Sequence, residues 1–158
     1  MTQMSMPTDL VRFAVADLAC AIYLNQVEEV LAMPGVTPLP ESANHLLGAV
    51  DLHGAALPVV DLHHLLGRPP VGIRLDQHLL ILSGTGGRLA VRCDRVDGLV
   101  RTSVQPSPGA RSKTSFLLGL ARDADGLLLV LDAGAMIEAR PVADRVIRKL
   151  GKDGVVQA

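Results

Sequence analysis

Aromatic side chains are almost missing from this chain: Phe13, Tyr23 and Phe116 are the only three in 158 residues, and there is no tryptophan. That removes the stacking platforms on which single-stranded nucleic acids are bound. Net charge is nearly absent too, with 15 basic against 16 acidic residues leaving −1. Bulk phosphate binding needs a concentrated basic face. The one dense basic group, Arg145, Arg148, Lys149 and Lys152, is diluted by Asp144 and Asp153. No hydrophobic run is long: the densest, Leu127 to Leu131, stops at Asp132, whereas a spanning helix needs roughly 20 apolar residues. The N-terminal MTQMSMPTD has neither a basic n-region nor an apolar h-region, so no secretory signal is expected. Cysteine is scarce as well. Cys20 and Cys93 stand far apart with no CxxC, which fits reduced core thiols in a cytoplasmic protein.

What the chain has in quantity is aliphatic residues, 26 Leu and 18 Val. A domain of this size buries roughly two-thirds of the surface its unfolded chain exposes, and these side chains can supply that core without rings. They are arranged in a repeat. Val36-Thr-Pro38-Leu-Pro40 recurs as Val104-Gln-Pro106-Ser-Pro108, an offset of 68 (36 to 104). Gly48 and Asp61 line up with Gly119 and Asp132 at an offset of 71 (48 to 119), and Gly54 with Gly126 at 72 (54 to 126). Val27 in NQVEEVL matches Val96 in DRVDGLV at an offset of 69 (27 to 96). The order is the same in both halves, so the chain reads as two tandem copies of a unit of about 70 residues, joined near Gly67 to Gln77.

Short apolar runs bounded by Gly or Pro make each unit β structure. In the second copy, Leu89, Val91 and Cys93 are expected to face inward, and Arg88, Arg92 and Asp94 to face water, a period of two. Leu79 to Ser83 and Arg88 to Cys93 form a hairpin across Gly84 to Gly87, where glycine allows positive φ. The first copy has Val11 to Ala16 and Ala19 to Leu24 across Asp17-Leu18. Later strands are expected over 46–53, 55–61, 116–122 and 127–132. Many short, duplicated strands argue for two small barrels. Helical pieces are expected at Ser42 to Leu47, Leu62 to Leu66, Ala133 to Ile137 and Pro141 to Leu150, where Pro141 suits a first helical turn.

Catalytic patterns are weak. Asp61, His63 and His64 with His53 invite a metal reading, but adjacent histidines point different ways and no HExxH spacing occurs. No GxSxG is present, and both cysteines fall in apolar strand patterns. Ser83 to Arg88, SGTGGR, lacks the ending of a phosphate-binding loop, and Ser112 to Ser115, flanked by Arg111, reads as a polar loop. No cofactor and no metal are expected, and the chain is not expected to be an enzyme.

The segments VRFAVADLACAIYLNQVEEVL, VTPLPESANHLLGAVDLHGAALPVVDLHHLLG, LAVRCDRVDGLV, VQPSP and FLLGLARDADGLLLVLD resemble the CheW-like family, the adaptor domain of bacterial chemotaxis. The resemblance covers roughly residues 10 to 137. It implies an all-β fold of two SH3-like five-stranded barrels with short helices and a C-terminal helix. The expected limits are one domain over 8–140, subdomains of about 10–68 and 77–137, and a helix and tail over 141–158. It also implies a scaffold that bridges the cytoplasmic tip of a methyl-accepting chemotaxis receptor and the CheW-like regulatory domain of a CheA-type histidine kinase. Such a protein is cytoplasmic, recruited to membrane receptor arrays without inserting into the membrane, and binds no nucleic acid.

Carried over residue by residue, Val27, Glu29 and Val30 resemble the family's receptor-facing edge in the first copy, and Leu99 a second such position. Gly48 and Gly54 resemble its turn glycines. Plain core burial is the competing reading at Val27, Val30 and Leu99, and a solvated charge at Glu29. Where the family has Asn-Leu-Arg-Gly, this chain has Asp51-Leu52-His53-Gly54. Histidine is largely neutral at pH 7 and cannot clamp a carboxylate as arginine does, so His53 joins the interface candidates as the residue that sets this chain apart. The rival functions are an adaptor of a non-flagellar pathway such as type IV pilus control, a His/Asp metal-dependent or hydrolytic enzyme, and an SH3-like nucleic-acid binder.

Overall fold

The computed structural model describes residues 6–39, 45–106 and 116–139. The expected helix and tail over 141–158, the polar loop 112–115 and the start of the helix expected from Ser42 lie outside the described residues. Along the chain run β1 (Thr8–Val15), β2 (Leu18–Tyr23), a 3-10 turn (Leu24–Gln26), β3 (Val27–Ala32), β4 (Leu46–Leu52), β5 (Ala55–Asp61) and α1 (Leu62–Leu65). They are followed by β6 (His78–Gly84), β7 (Gly87–Cys93), β8 (Arg95–Thr102), β9 (Gln105–Pro106), β10 (Leu117–Asp123), β11 (Gly126–Leu131) and α2 (Ala133–Glu138). The all-β class and the two short helices at Leu62 and Ala133 are as the pattern indicated. Leu46 and Leu47 open β4 instead of closing a helix. Alternate burial along β4, with Leu46, Gly48, Val50 and Leu52 inward, is the two-residue period of a half-buried strand.

The strands form two sheets, in the orders β8-β1-β2-β11-β10-β9 and β3-β6-β7-β5-β4. Each sheet therefore draws on both copies: the hairpin β1-β2 joins the later strands of the second copy, and the hairpin β6-β7 joins those of the first. The spans 10–68 and 77–137 mark the duplicated unit, whereas the sheets exchange hairpins between units.

The repeat has a physical basis in one crossing made twice. Thr37 pairs with Ala49 in the first copy, and Gln105 with Leu120 in the second. A Cβ on Gly48 would lie 2.2 Å from the Thr37 carbonyl oxygen, and one on Gly119 would lie 2.3 Å from that of Gln105. Gly48 is thus a close-approach glycine inside β4, at a bulge between Leu46 and Gly48 that recurs between Leu117 and Gly119; only Gly54 sits in a turn. Asp61 and Asp132 also act alike. Each backbone N–H donates to a carbonyl (His45 and Phe116) at 2.7 Å. Each carboxylate caps the following helix at 3.0 Å, accepting from His63 N–H and Ala135 N–H.

Two apolar clusters fill the barrels. One gathers Val50, Leu52, Leu57, Val59, Leu79, Ile81 and Ala90; the other gathers Leu10, Ala21, Val104, Ala121, Leu128 and Val130. A larger third cluster lies between the sheets and takes Phe13, Val15, Cys20, Ile22, Leu80, Leu82, Leu89, Val91 and Cys93, with Leu62, Met136 and Ile137 from the helices. Strands β6 and β7 are consequently covered on both faces, and the expected exposure of Arg92 does not hold. Arg92 is fully buried.

A polar chain runs from the barrel-facing side of β7 to the turn of the exchanged hairpin. Arg92 donates from one guanidinium nitrogen to Asp61 at 2.7 Å and from the other to the Val71 carbonyl at 2.9 Å. His63, also buried, stands 3.4 Å from Asp61 through Nδ1 and 3.0 Å from Asp94 through Nε2. Asp94 accepts further bonds from the Ala16 amide in the β1-β2 turn at 2.6 Å and from Gln77 at 2.8 Å. Burial pushes the Asp94 carboxyl up, but the Ala16 amide, Gln77 and His63 outweigh it and hold the group below the ordinary carboxylate range.

Two outcomes test these readings. Gly48→Ala and Gly119→Ala should each lower unfolding free energy by about 2 kcal/mol in urea titrations, since both force a methyl group against a backbone oxygen; tolerance at Gly119 alone would break the equivalence of the crossings. Asp94→Asn places an amide donor against donors and should cost about 2 kcal/mol at pH 7. Because folding depresses this carboxyl, its contribution is complete above the unfolded value of about 3.9 and disappears as pH falls through the folded value. The gap between wild type and variant should accordingly narrow as the solution is acidified below the unfolded value.

Candidate functional interface

Strand β3 ends one sheet and β8 ends the other, and the two are equivalent strands of the repeat. Both carry a bulge at an acidic residue. Val27 pairs with Leu82 and Glu29 with Ile81, so Glu28 has no partner across the ladder. Phe13 pairs with Val96 and Arg12 with Gly98, which leaves Asp97 in the same state. An arginine meets each bulged acid: Arg88 reaches Glu28 at 2.5 Å, and Arg12 and Arg95 each reach Asp97 at 2.6 Å. The hydrogen bond from Arg95 is the largest influence holding the Asp97 carboxyl below its usual range.

Beyond the bulges, Val30 and Leu99 occupy the same place in their copies, opposite Leu80 and Val11 respectively. Val30 is 43% exposed and Leu99 67%. Plain burial is therefore not what holds these two positions. Val27 differs, being half-buried against the seam between the sheets. Glu29 is about one-third exposed, and the Nε2 of His53 lies 3.5 Å from its carboxylate. His53 and Gly54 make the two-residue turn from β4 to β5 with φ of 51° and 87°, the double positive φ of a tight hairpin. Asp51 accepts from the Gly54 amide at 2.9 Å and fixes that turn. Four of the five candidates, Val27, Glu29, Val30 and His53, thus gather on one barrel, and Leu99 takes the equivalent edge of the other.

The reactive groups elsewhere are occupied. Cys20 and Cys93 are buried free thiols, each pushed up to about 12 by burial, and remain protonated at neutral pH. Asp61 and His63 belong to the seam network, and His64 lies against His45 with ring centroids 6.4 Å apart. Among the described residues no group of three or more His, Cys, Asp or Glu is placed to hold a metal ion. No helix among them is long and apolar enough to cross a membrane.

Residues 9–140 match the model of the CheW-like domain. The chain belongs to the CheW-like domain family. Chemotaxis protein CheW of Thermotoga maritima is 26% identical over 150 residues, covering 87% of this chain and 93% of that protein. Protein FrzA of Myxococcus xanthus is 33% identical over 117 residues, covering 70% and 71%. The crystal structure of the scaffolding protein TtCheW from Thermoanaerobacter tengcongensis superposes with a TM-score of 0.72 at 25% identity, over 80% of this chain and 89% of that one. As a CheW-like scaffold, this chain presents one exposed apolar residue at the equivalent position of each edge, Val30 and Leu99.

Sequence reasoning missed the internal pairing of Glu28 and Asp97. The signal was present in the acid that follows the valine of each copy, Val27-Glu28 and Val96-Asp97, but a bulge is not visible in hydrophobic alternation. Leu99→Arg, on an exposed position, should leave unfolding free energy within about 0.5 kcal/mol of wild type, whereas Val27→Asp should cost about 2 kcal/mol or more through a carboxylate forced against the seam. Urea denaturation separates the two.

Proposed function

We propose that this chain is a chemosensory coupling protein that joins the cytoplasmic tip of a methyl-accepting receptor to the CheW-like regulatory domain of a CheA-type histidine kinase. The observation that carries this is the pair Val30 and Leu99, two outward apolar residues on equivalent edges of a rigid double barrel in a member of the CheW-like family. A bridge needs separated docking surfaces on a body that transmits geometry, and isolated apolar knobs flanked by neutralised charges suit association with partner proteins. The likeness to proteins named for chemotaxis supports the pathway, and a cytoplasmic location follows from these partners. In this reading the work is binding and involves no catalysis, so no cofactor is assigned.

A second reading concerns output only. His53, in place of the family's arginine, favours an adaptor of a non-flagellar chemosensory pathway such as type IV pilus control. Deleting the gene would then alter surface movement and leave swimming intact.

The main reading is tested by sedimenting membranes that carry the receptor of the same genome with the purified chain and its kinase. Co-sedimentation and a rise in kinase autophosphorylation are expected, and Leu99→Arg should reduce both while remaining folded. If wild type neither co-sediments nor raises autophosphorylation, the coupling role is wrong.

A further inference from the structure

The half of the chain before Gly67 and the half from Gln77 onward are held together by far more than their covalent link. Four ladders run between them, β1 with β8, β2 with β11, β3 with β6 and β5 with β7, and the largest apolar cluster takes residues from both. Only the segment 67–76 carries the backbone from one half to the other. We propose that the partner fitting this interface is a second copy of the chain: two copies exchange their second halves, and their crossing segments pair with each other. Every ladder is then remade between the same residues of different chains, so the exchange gives up no core contact. Each of the two bodies keeps Val30 and Leu99 outward, and the dimer offers both residues in duplicate.

The crossing segment has the features of a hinge. Val71, Ile73 and Leu75 are exposed, Leu75 at 89%, and they alternate with Gly72 and Arg74, the two-residue period of a strand. The amides of Val71, Gly72 and Ile73 have no partner among the described residues. Pro69 and Pro70 favour an extended exit from α1. The chain then bends back in one turn, in which the Gln77 amide donates to the Arg74 carbonyl at 3.2 Å and the Arg74 amide to the Gln77 side chain at 2.8 Å. Opening that turn straightens the segment. Because the exchange is reciprocal, the two segments cross between the bodies in opposite directions about a two-fold axis. Antiparallel pairing centred on Ile73 sets Val71 opposite Leu75 and Ile73 opposite its own counterpart. It covers apolar side chains that the monomer leaves in water and gives the unpaired backbone a partner. The new contact is continuous with the interface between the halves, since the Val71 carbonyl already accepts from Arg92.

Refolding the full chain from urea at high protein concentration tests this, with light scattering to read the mass. A species of twice the monomer mass is expected, and it should fall away when the chain is refolded at low concentration. Ile73→Asp should lower the dimer fraction roughly threefold, because two carboxylates then face each other across the axis. An equimolar mixture of Ile73→Asp and Ile73→Lys, refolded together, should restore it. Exchange is separated from plain association at positions 9 and 101, whose side chains meet at 3.0 Å across β1 and β8. With Asp9→Cys and Arg101→Cys combined, oxidation should link two chains in the dimer and stay within one chain in the monomer, as read on a non-reducing denaturing gel. A dimer whose bridges stay within one chain, a dimer indifferent to Ile73→Asp, or no dimer at any concentration overturns the exchange.

Discussion

A guanidinium buried at the ends of two neighbouring strands is the constraint around which this molecule is arranged. Arg92 ends a strand of one copy, while Asp61 both neutralises it and begins the helix of the other. Neither charge can be left alone in that setting, because an unpaired buried ion costs several kcal/mol. The ends of β5 and β7 are thereby held side by side, in the parallel register that sets Asp61 against Arg92. His63 and Asp94 extend the same chain to the turn of the exchanged hairpin. The two barrels consequently share one polar chain beside one apolar interface.

That rigidity is what a coupling role asks of the fold. Docking edges linked by a loose joint would let one partner move without the other sensing it. Here the sheets are bound by side chains from one face of β6 and β7, and each half of the sequence supplies strands to the other half's barrel. The outward residues differ between edges in a way duplication permits: Glu29 stands beside Val30, and Gly98 beside Leu99.

Much of this was legible in the chain because short-range chemistry repeats wherever short-range geometry does. The glycines at 48 and 119 and the aspartates at 61 and 132 are each demanded by a local contact, so their spacing betrayed the unit. The exchange of hairpins was not legible. A strand's alternation is satisfied equally by either neighbour, and only tertiary pairing decides between them. Arg92 misled for the same reason, since its alternation with Leu89, Val91 and Cys93 describes two different buried environments on a strand covered on both faces. Among the site candidates, Val27 and Val30 look alike in sequence. Three residues apart on an alternating strand, they take opposite faces, Val27 toward the seam and Val30 outward.

The exchanged hairpins have a further meaning for the chain between the copies. Residues 67–77 cross from one unit to the next, tied down by Val71 on Arg92 and by Arg74 and Gln77 around Asp94. Cutting the backbone in that stretch would not release two independent domains. Each fragment would keep a hairpin lodged in the other's sheet, and neither could complete a barrel unaided. The molecule is in effect a pair of interlocked halves written on one strand of peptide, and its natural point of division in sequence is where it is least divisible in space.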